Sequence, residues 1–270
     1  MKLTFLGTAA AEGFPGVFCR CEKCLVSRRL KGKNIRTRSQ SIINDDLLID
    51  LPADTFHHFL ENDIEGDKIK FLLVTHSHSD HFYPNELHYK HPPFAHNMRE
   101  NNLKVICGGD VYRYFEENGA SKQTEVIKIE PFETVEAGDY QITALPARHA
   151  EGSGALIYII RQGDKTLFYA HDTGYLYDEV FAYIAENNIR FDMISFDCTN
   201  VNIPASDEGG HMGIANIQRV RERLGDAIKP DTKLYINHFS HNGAPIHHEL
   251  EAQVNPMGLE VSYDGCVVEF

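Results

Sequence analysis

Between Thr75 and His81 the chain places His76, His78, Asp80 and His81 directly after the apolar run Phe71-Leu72-Leu73-Val74. This stretch constrains the fold more than any other. If Phe71 to Thr75 is a short buried strand, His76 and His78 lie two residues apart on extended backbone and project from the same face, so both imidazoles reach one ion. Where the chain then turns, Asp80 and His81 are adjacent and splayed, and can aim at a second position beside the first. One loop can serve two metals. Imidazole and carboxylate donors suit zinc, manganese or iron, and a site whose protein ligands leave a coordination position open is the catalytic kind. The chain holds 15 histidines, yet random placement rarely packs them so tightly against the end of an apolar run.

Other features bound the setting. A chain of 270 residues can bury one sizeable core, and a single domain spanning 1–270 is expected. Its hydrophobic fraction of 42% and charged fraction of 24% are those of a soluble globular protein. No run approaches the ~18 apolar residues of a membrane helix. Met1-Lys2-Leu3-Thr4-Phe5-Leu6-Gly7 goes straight into strand-like sequence without a cleavable apolar segment, so a cytoplasmic location without a membrane partner is expected. A net charge of −13 argues against a long nucleic-acid partner, because such binding rests on neutralising many phosphates with Lys and Arg. The oligomeric state stays open, a homodimer included.

Strand-like runs cover Lys2 to Leu6, Ser41 to Asp50 with a hairpin at Asn44-Asp45-Asp46, Phe71 to Thr75, Val105 to Cys107, Glu125 to Ile129 and Tyr140 to Leu145. Helical spacing marks Asp54 to Asn62, Asn85 to Tyr89 and Val111 to Asn118. In the second half, Ala155 to Arg161 and Lys165 to Tyr169 flank the hairpin signature Gln162-Gly163-Asp164. A helix over Tyr177 to Asn187, a strand over Met193 to Phe196, a helix over Ile214 to Leu224 and a strand over Lys233 to Ile236 follow. Two β-sheets packed together with helices outside would bury these runs.

A two-metal site needs more ligands than the loop supplies. His149 follows the run Ile142 to Ala147, Asp172 follows Leu167 to Ala170, and His238 follows Leu234-Tyr235-Ile236. Each lies just beyond an apolar run, where side chains from one sheet edge converge. His171, adjacent to Asp172 on extended backbone, faces the other way and is not expected to be a ligand. His57, His58, His88, His91, His96, His247 and His248 read as solvated or locally paired.

In this order, His76, His78, Asp80, His81, His149, Asp172 and His238 resemble the metallo-β-lactamase superfamily over nearly the whole chain. The resemblance implies a four-layer αββα sandwich with a dinuclear site along one edge. His76, His78 and His149 would hold the first metal, Asp80, His81 and His238 the second, and Asp172 would bridge them. Asp50, in Leu47-Leu48-Ile49-Asp50, matches the family's acidic residue below the site. In many members Gly-Leu follows the Asp-His pair by two or three residues; Phe82-Tyr83-Pro84 stands here, which implies a different pocket wall.

Three of the six cysteines fall in one phrase, Cys19-Arg20-Cys21-Glu22-Lys23-Cys24. In a cytosolic chain close cysteines read as metal ligands before disulfides, and Cys107, Cys198 and Cys266 as buried inert thiols. Together with Leu6-Gly7-Thr8-Ala9, the phrase is similar to the opening of PhnP-type phosphodiesterases, associated with carbon-phosphorus lyase pathways. That resemblance implies a separate structural zinc on Cys19, Cys21, Cys24 and a histidine three residues beyond the last catalytic ligand, here His241. Three sulfurs and one imidazole are a structural rather than a catalytic donor set. By the same resemblance, which extends to tRNase Z, His211 in Gly209-Gly210-His211-Met212-Gly213 is the general acid.

The function expected is therefore hydrolysis of a small phosphodiester, cyclic or nucleotide-like. Two divalent ions, zinc or manganese, would clamp an in-line phosphoryl displacement, with Asp80 and His211 the residues closest to the chemistry. Two alternatives stand beside it: an iron-dependent oxidoreductase similar to PqqB, which shares the early cysteine phrase, and a thioester or lactam hydrolase on the same metals. Arg148, next to His149, is placed either against a phosphate or on the surface.

Overall fold

The structure, a computed structural model, describes residues 1–150 and 152–270. Along the first half run β1 (Lys2–Gly7), α1 (Glu22–Leu30), β2 (Gln40–Ile43), β3 (Leu47–Ile49), α2 (Thr55–Glu61), β4 (Phe71–Val74), β5 (Leu103–Cys107), α3 (Gly109–Asn118) and β6 (Thr124–Lys128). There follow β7 (Thr134–Ala137), β8 (Tyr140–Pro146), β9 (Leu156–Gln162), β10 (Lys165–Ala170), α4 (Asp178–Glu186), β11 (Phe191–Asp197), α5 (Ile214–Leu224), β12 (Ile228–Asn237), α6 (His247–Val254), β13 (Glu260–Val261) and β14 (Cys266–Glu269). The strands make two seven-stranded sheets, ordered β14-β1-β2-β3-β4-β5-β6 and β13-β12-β11-β10-β9-β8-β7. Each sheet is antiparallel on one side and parallel on the other: β3, β4, β5 and β6 run parallel, as do β10, β11, β12 and β13.

Strand periodicity divides the apolar residues among three layers. Alternate side chains of a strand face opposite sides of the sheet. Leu73, Tyr158, Ile160, Leu167 and Tyr169 therefore meet between the sheets, with Leu3, Phe5, Ile49 and Ile106. Their neighbours point outward. Leu72, Val74 and Val105 pack beneath Val111 and Phe115 of α3 and Phe59 of α2. Ile157, Ile159, Phe168, Ala170 and Phe196 pack beneath Val180 and Ile184 of α4, Ile217 and Val220 of α5, and Leu250 and Val254 of α6. Strands covered on both faces read as unbroken apolar runs, which is why Leu156 to Ile160 shows no alternation in the sequence. The result is the αββα sandwich.

Besides strands β7, β13 and β14, which no apolar run had marked, three helical elements differ from expectation. Residues 84–90 form a 3-10 helix rather than an α-helix; Pro84 opens it, and the Tyr83 amide is committed to Leu51 O at 2.7 Å. Helix α1 begins immediately after Cys21, in a stretch where the sequence pattern marked no element. Helix α6 carries the interrupted apolar set Leu250 and Val254, too sparse to signal a helix. No helix among the described residues is long and apolar enough to cross a membrane.

Candidate active site

Six strand ends converge on one edge of the sandwich. Asp50 follows β3, the 75–81 loop follows β4, His149 lies three residues past β8, Asp172 two past β10, Asp197 ends β11 and His238 follows β12. Asp50, Asp172 and His238 have φ of 65°, 52° and 64°. This left-handed backbone is disfavoured for residues with a Cβ and persists where surrounding structure holds it. Here it breaks the strand direction at the point where the side chain must turn into the site.

The seven residues expected to hold metals meet in two linked groups. His76, His78 and His149 bring one donor atom each within 4.8 Å of one another, and so do Asp80, His81, Asp172 and His238. Asp172 joins the groups: its Oδ2 lies 2.7 Å from His81 Nε2, 3.4 Å from His76 Nε2 and 3.9 Å from His149 Nε2.

Second partners explain why these nitrogens face inward. His81 Nδ1 donates to Asp50 Oδ2 (2.7 Å), His76 Nδ1 to Thr75 Oγ1 (3.1 Å), His149 Nδ1 to Gly210 O (3.3 Å) and His238 Nδ1 to Thr199 Oγ1 (2.7 Å). Thr75 and Thr199 can accept because their own hydroxyls donate to Asp50 and Asp197. Each of these imidazoles, when neutral, therefore turns a bare Nε2 lone pair into the cluster. Those lone pairs then face one another: His76 Nε2 is 2.9 Å and His149 Nε2 3.1 Å from His78 Nδ1, and His81 Nε2 is 3.3 Å from His238 Nε2. Converging acceptors need a cation between them. Asp172 Oδ1, buried, lacks a hydrogen-bond partner among the described residues; it lies 3.2 Å from His238 Nδ1 and 3.3 Å from His211 Nδ1, off the line of either N–H. Burial works against a charged His81, but Asp172 and Asp50 outweigh it and raise its pKa well above the ordinary range. The carboxylates thus call for positive charge, and the donor set fits two divalent ions.

Asp50 anchors the loop from below. Its Oδ1 accepts from the Thr75 amide at 2.8 Å and its Oδ2 from His81, so one buried carboxylate fixes both ends of the 75–81 turn. Asp110, at the start of α3, accepts from the Ser77 amide at 3.0 Å and steadies the turn between the first two histidines.

His211 lies outside those seven residues but converges with Asp172, Asp197 and His238. Its Nδ1 donates to Asp197 Oδ2 at 3.1 Å. Burial disfavours its imidazolium, but the Asp197 carboxylate outweighs burial and raises the pKa to about 9. Its ring stands 5.0 Å from that of His149 and 5.7 Å from that of His238, beside the cluster. Asp197 also accepts from the Met212 and Thr199 amides. Sequence reasoning missed this residue although its signal was present: Asp197 stands beyond the apolar run Met193 to Phe196, as Asp172 stands beyond its own.

The cysteine phrase makes a second centre. Cys19, Cys21, Cys24 and His241 offer four donors within 4.8 Å of one another. His241 Nδ1 is 3.8 Å from Cys19 Sγ and 3.7 Å from Cys21 Sγ, near the ~3.6 Å edge of a tetrahedron with zinc-like bond lengths. The Gly16 amide donates to Cys24 Sγ and the Cys21 amide to Cys19 Sγ; burial nevertheless pushes the Cys24 thiol up to about 12, so its thiolate calls for a cation beside it. The donors fit a closed zinc site. Cys107, Cys198 and Cys266 are buried free thiols.

The remaining histidines divide. His171 is fully buried, donates from Nε2 to Ser195 Oγ at 2.6 Å and accepts from Asn237 at Nδ1, so it has no lone pair left for a metal. His58 bridges Gln40 and Thr37, and His247 pairs with Arg36 and Glu251. Arg148 turns away from the cluster: Nε donates to Tyr175 O and Nη1 to Glu208, with the guanidinium 4.1 Å above the Tyr177 ring.

Residues 48–239 match the family described as the β-lactamase superfamily domain. That span holds Asp50, the seven clustered candidate ligands, Asp197 and His211, but not Cys19, Cys21, Cys24 or His241. Comparison with curated proteins finds no match. Among solved structures, zinc-bound PqqB from Methylobacterium extorquens is 18% identical with TM-score 0.77, each chain covered completely. A diphosphatase from the PhnP family is 22% identical with TM-score 0.76, covering 100% of this chain and 96% of that one. The metallo-β-lactamase fold protein YhfI from Bacillus subtilis is 18% identical with TM-score 0.74, covering 100% and 99%. At these identities the likenesses establish the fold. With the match from β3 to the end of β12 and a histidine-aspartate edge built as that fold requires, the chain belongs to the β-lactamase superfamily.

Proposed function

We propose that this chain is a PhnP-type, metal-dependent hydrolase of small phosphodiesters, cyclic or nucleotide-like. In this reading His76, His78 and His149 would hold one divalent ion, Asp80, His81 and His238 a second, and Asp172, which lies between the groups, would contribute to both. When bound, the ions supply Lewis acidity toward the phosphoryl group and ready deprotonation of water near neutral pH. The observation that carries the reading is the Asp197–His211 pair beside the cluster. An alkoxide is a poor leaving group, and its departure needs a proton. With Nδ1 held by Asp197, His211 presents its Nε2 proton to the leaving oxygen; water adds to phosphorus, the P–O ester bond breaks, and a monoester and an alcohol result. Lactam or thioester hydrolysis gives this pair less to do.

Cys19, Cys21, Cys24 and His241 would hold a structural zinc, which would tie α1 to the segment after β12. The diphosphatase named among the structural neighbours fits the same residues, since a diphosphate also parts at a phosphoryl oxygen. The full-length likeness to zinc-bound PqqB keeps an oxidoreductase as the second reading, for which the His and Asp donors would hold iron.

The test is a panel of phosphodiesters with zinc, manganese or iron added to metal-free protein. Turnover of alkyl or ribose diesters with zinc or manganese is expected. His211→Ala should lower it about 10²–10⁴-fold while a nitrophenyl diester, whose leaving group departs unaided, loses less. Equal losses on both esters at unchanged metal content would make His211 a substrate-positioning residue. Absence of diester turnover with every metal would sink the proposal.

A further inference from the structure

The segment that carries His211 to the site has no apolar anchor. From Asn202 to His211 no residue is buried, and the turn Ala205-Ser206-Asp207-Glu208-Gly209-Gly210 is held by polar contacts. At its near end, Asn216 donates to Ala205 O and Arg219 pairs with Asp207. Its tip rests on residues 148, 149 and 174. Gly210 O accepts from His149, and the Gly209 carbonyl lies so close to Gly174 that a Cβ there would stand 1.8 Å from it.

Arg148 gathers the three pieces. Its amide donates to Thr173 Oγ1 and its carbonyl accepts from Gly174 N at 2.6 Å. Its side chain donates from Nε to Tyr175 O (3.0 Å) and from Nη1 to Glu208 Oε2 (2.9 Å), while the Tyr177 ring covers one face. The segment it grips through Glu208 sets two features of the chemistry, the position of His211 and, through Gly210, the orientation of His149.

We propose that Arg148 is a positioning residue: with Glu208 it latches the 205–210 turn against the 172–177 loop, holding His211 beside the cluster and the Gly210 carbonyl on His149. The structure places its fork on Glu208 and Tyr175 rather than toward the cluster, so this role replaces a direct phosphate contact. An exposed ion pair alone holds little. The stacked, two-acceptor geometry makes this one a guide for the turn, and lysine cannot reproduce it. The kinetic consequence rests on the proposed function; the latch itself does not.

Two variants test it in metal-loaded protein. Arg148→Lys keeps the charge and loses the fork. Glu208→Gln lies on the surface, its side chain 83% exposed, and leaves folding intact. Amide exchange across 205–211 should accelerate several-fold in both, with other segments unchanged. Turnover of an alkyl phosphodiester should fall about tenfold in Arg148→Lys, that of a nitrophenyl diester less, and the double variant should be no worse than Arg148→Lys. Unchanged exchange in both variants would overturn the latch. A rise in KM shared by both esters, with exchange unchanged, would overturn it in favour of a phosphate contact. If the unmodified protein cleaves neither ester, the proposed function fails while the exchange rates still decide the latch.

Discussion

Asp197 acts on two histidines at once: directly on His211 through Oδ2, and on His238 through the Thr199 hydroxyl. Asp197→Asn would set an amide N–H2 or a neutral carbonyl against His211, removing the charge that favours its imidazolium. We expect about 10- to 100-fold lower turnover of alkyl phosphodiesters with metal content retained, read by kinetics beside elemental analysis. A different single-residue effect follows from His58, buried between Gln40 and Thr37, where burial lowers its pKa from 6.5 to about 4. Between those values the unfolded chain binds a proton that the folded chain refuses. Stability is therefore full above pH ~6.5 and falls as pH drops toward ~4, by at most about 3 kcal/mol from this residue. Denaturant titrations at pH 7, 5.5 and 4.5 should show the slope, and His58→Gln should flatten it whatever its effect at pH 7. At this scale the sequence was most legible where residue type is rare and clustered, as at His76 to His81. It was least legible for Asp197, because one acidic residue after a strand resembles any turn residue until its partners come from distant segments.

Strand β12 and the four residues after it serve two centres with different work. His238 leaves the strand in the left-handed conformation and faces Asp172 and His81; His241, three residues later, faces Cys19 and Cys21 on the approach to α1. On the proposed function His238→Ala removes one of the ligands of the open centre. It should abolish turnover with a small change in melting temperature. His241→Ala removes one of four donors from a closed site that joins two elements far apart in sequence, so the variant should release zinc and melt more than about 5 °C lower. Equal melting temperatures for the two variants would argue against separate roles. Most strands were readable because burial on both faces leaves unbroken apolar runs, as in β4 and β9. Helices α1 and α6 were not, since one starts inside the cysteine phrase and the other buries too few apolar residues to set up a period.

For the whole molecule, the proposed function assigns seven candidate ligands to an open centre and four to a closed one, up to three metals per chain. Protein purified without chelator should carry zinc near one equivalent, held by the thiolates, and gain up to two further divalent ions on reconstitution. A mild chelator should remove those two first and abolish turnover before it shifts the melting curve. Loss of all metal in a single step together with unfolding would contradict two independent centres. The sequence by itself determined the strand-rich layering and most of the donor residues, because apolar runs and rare side-chain clusters are local properties that survive without neighbours. Its ligand set came partly from strand-end position and partly from family resemblance. Only the tertiary structure decided which nitrogen of each histidine turns inward, that Asp172 lies between the two groups, that Asp197 stands behind His211, and that the Arg148 side chain donates to Tyr175 O and Glu208. Apart from the bond between His76 and its neighbour Thr75, those arrangements depend on partners from distant segments, brought into hydrogen-bond range by the closure of two sheets on one core.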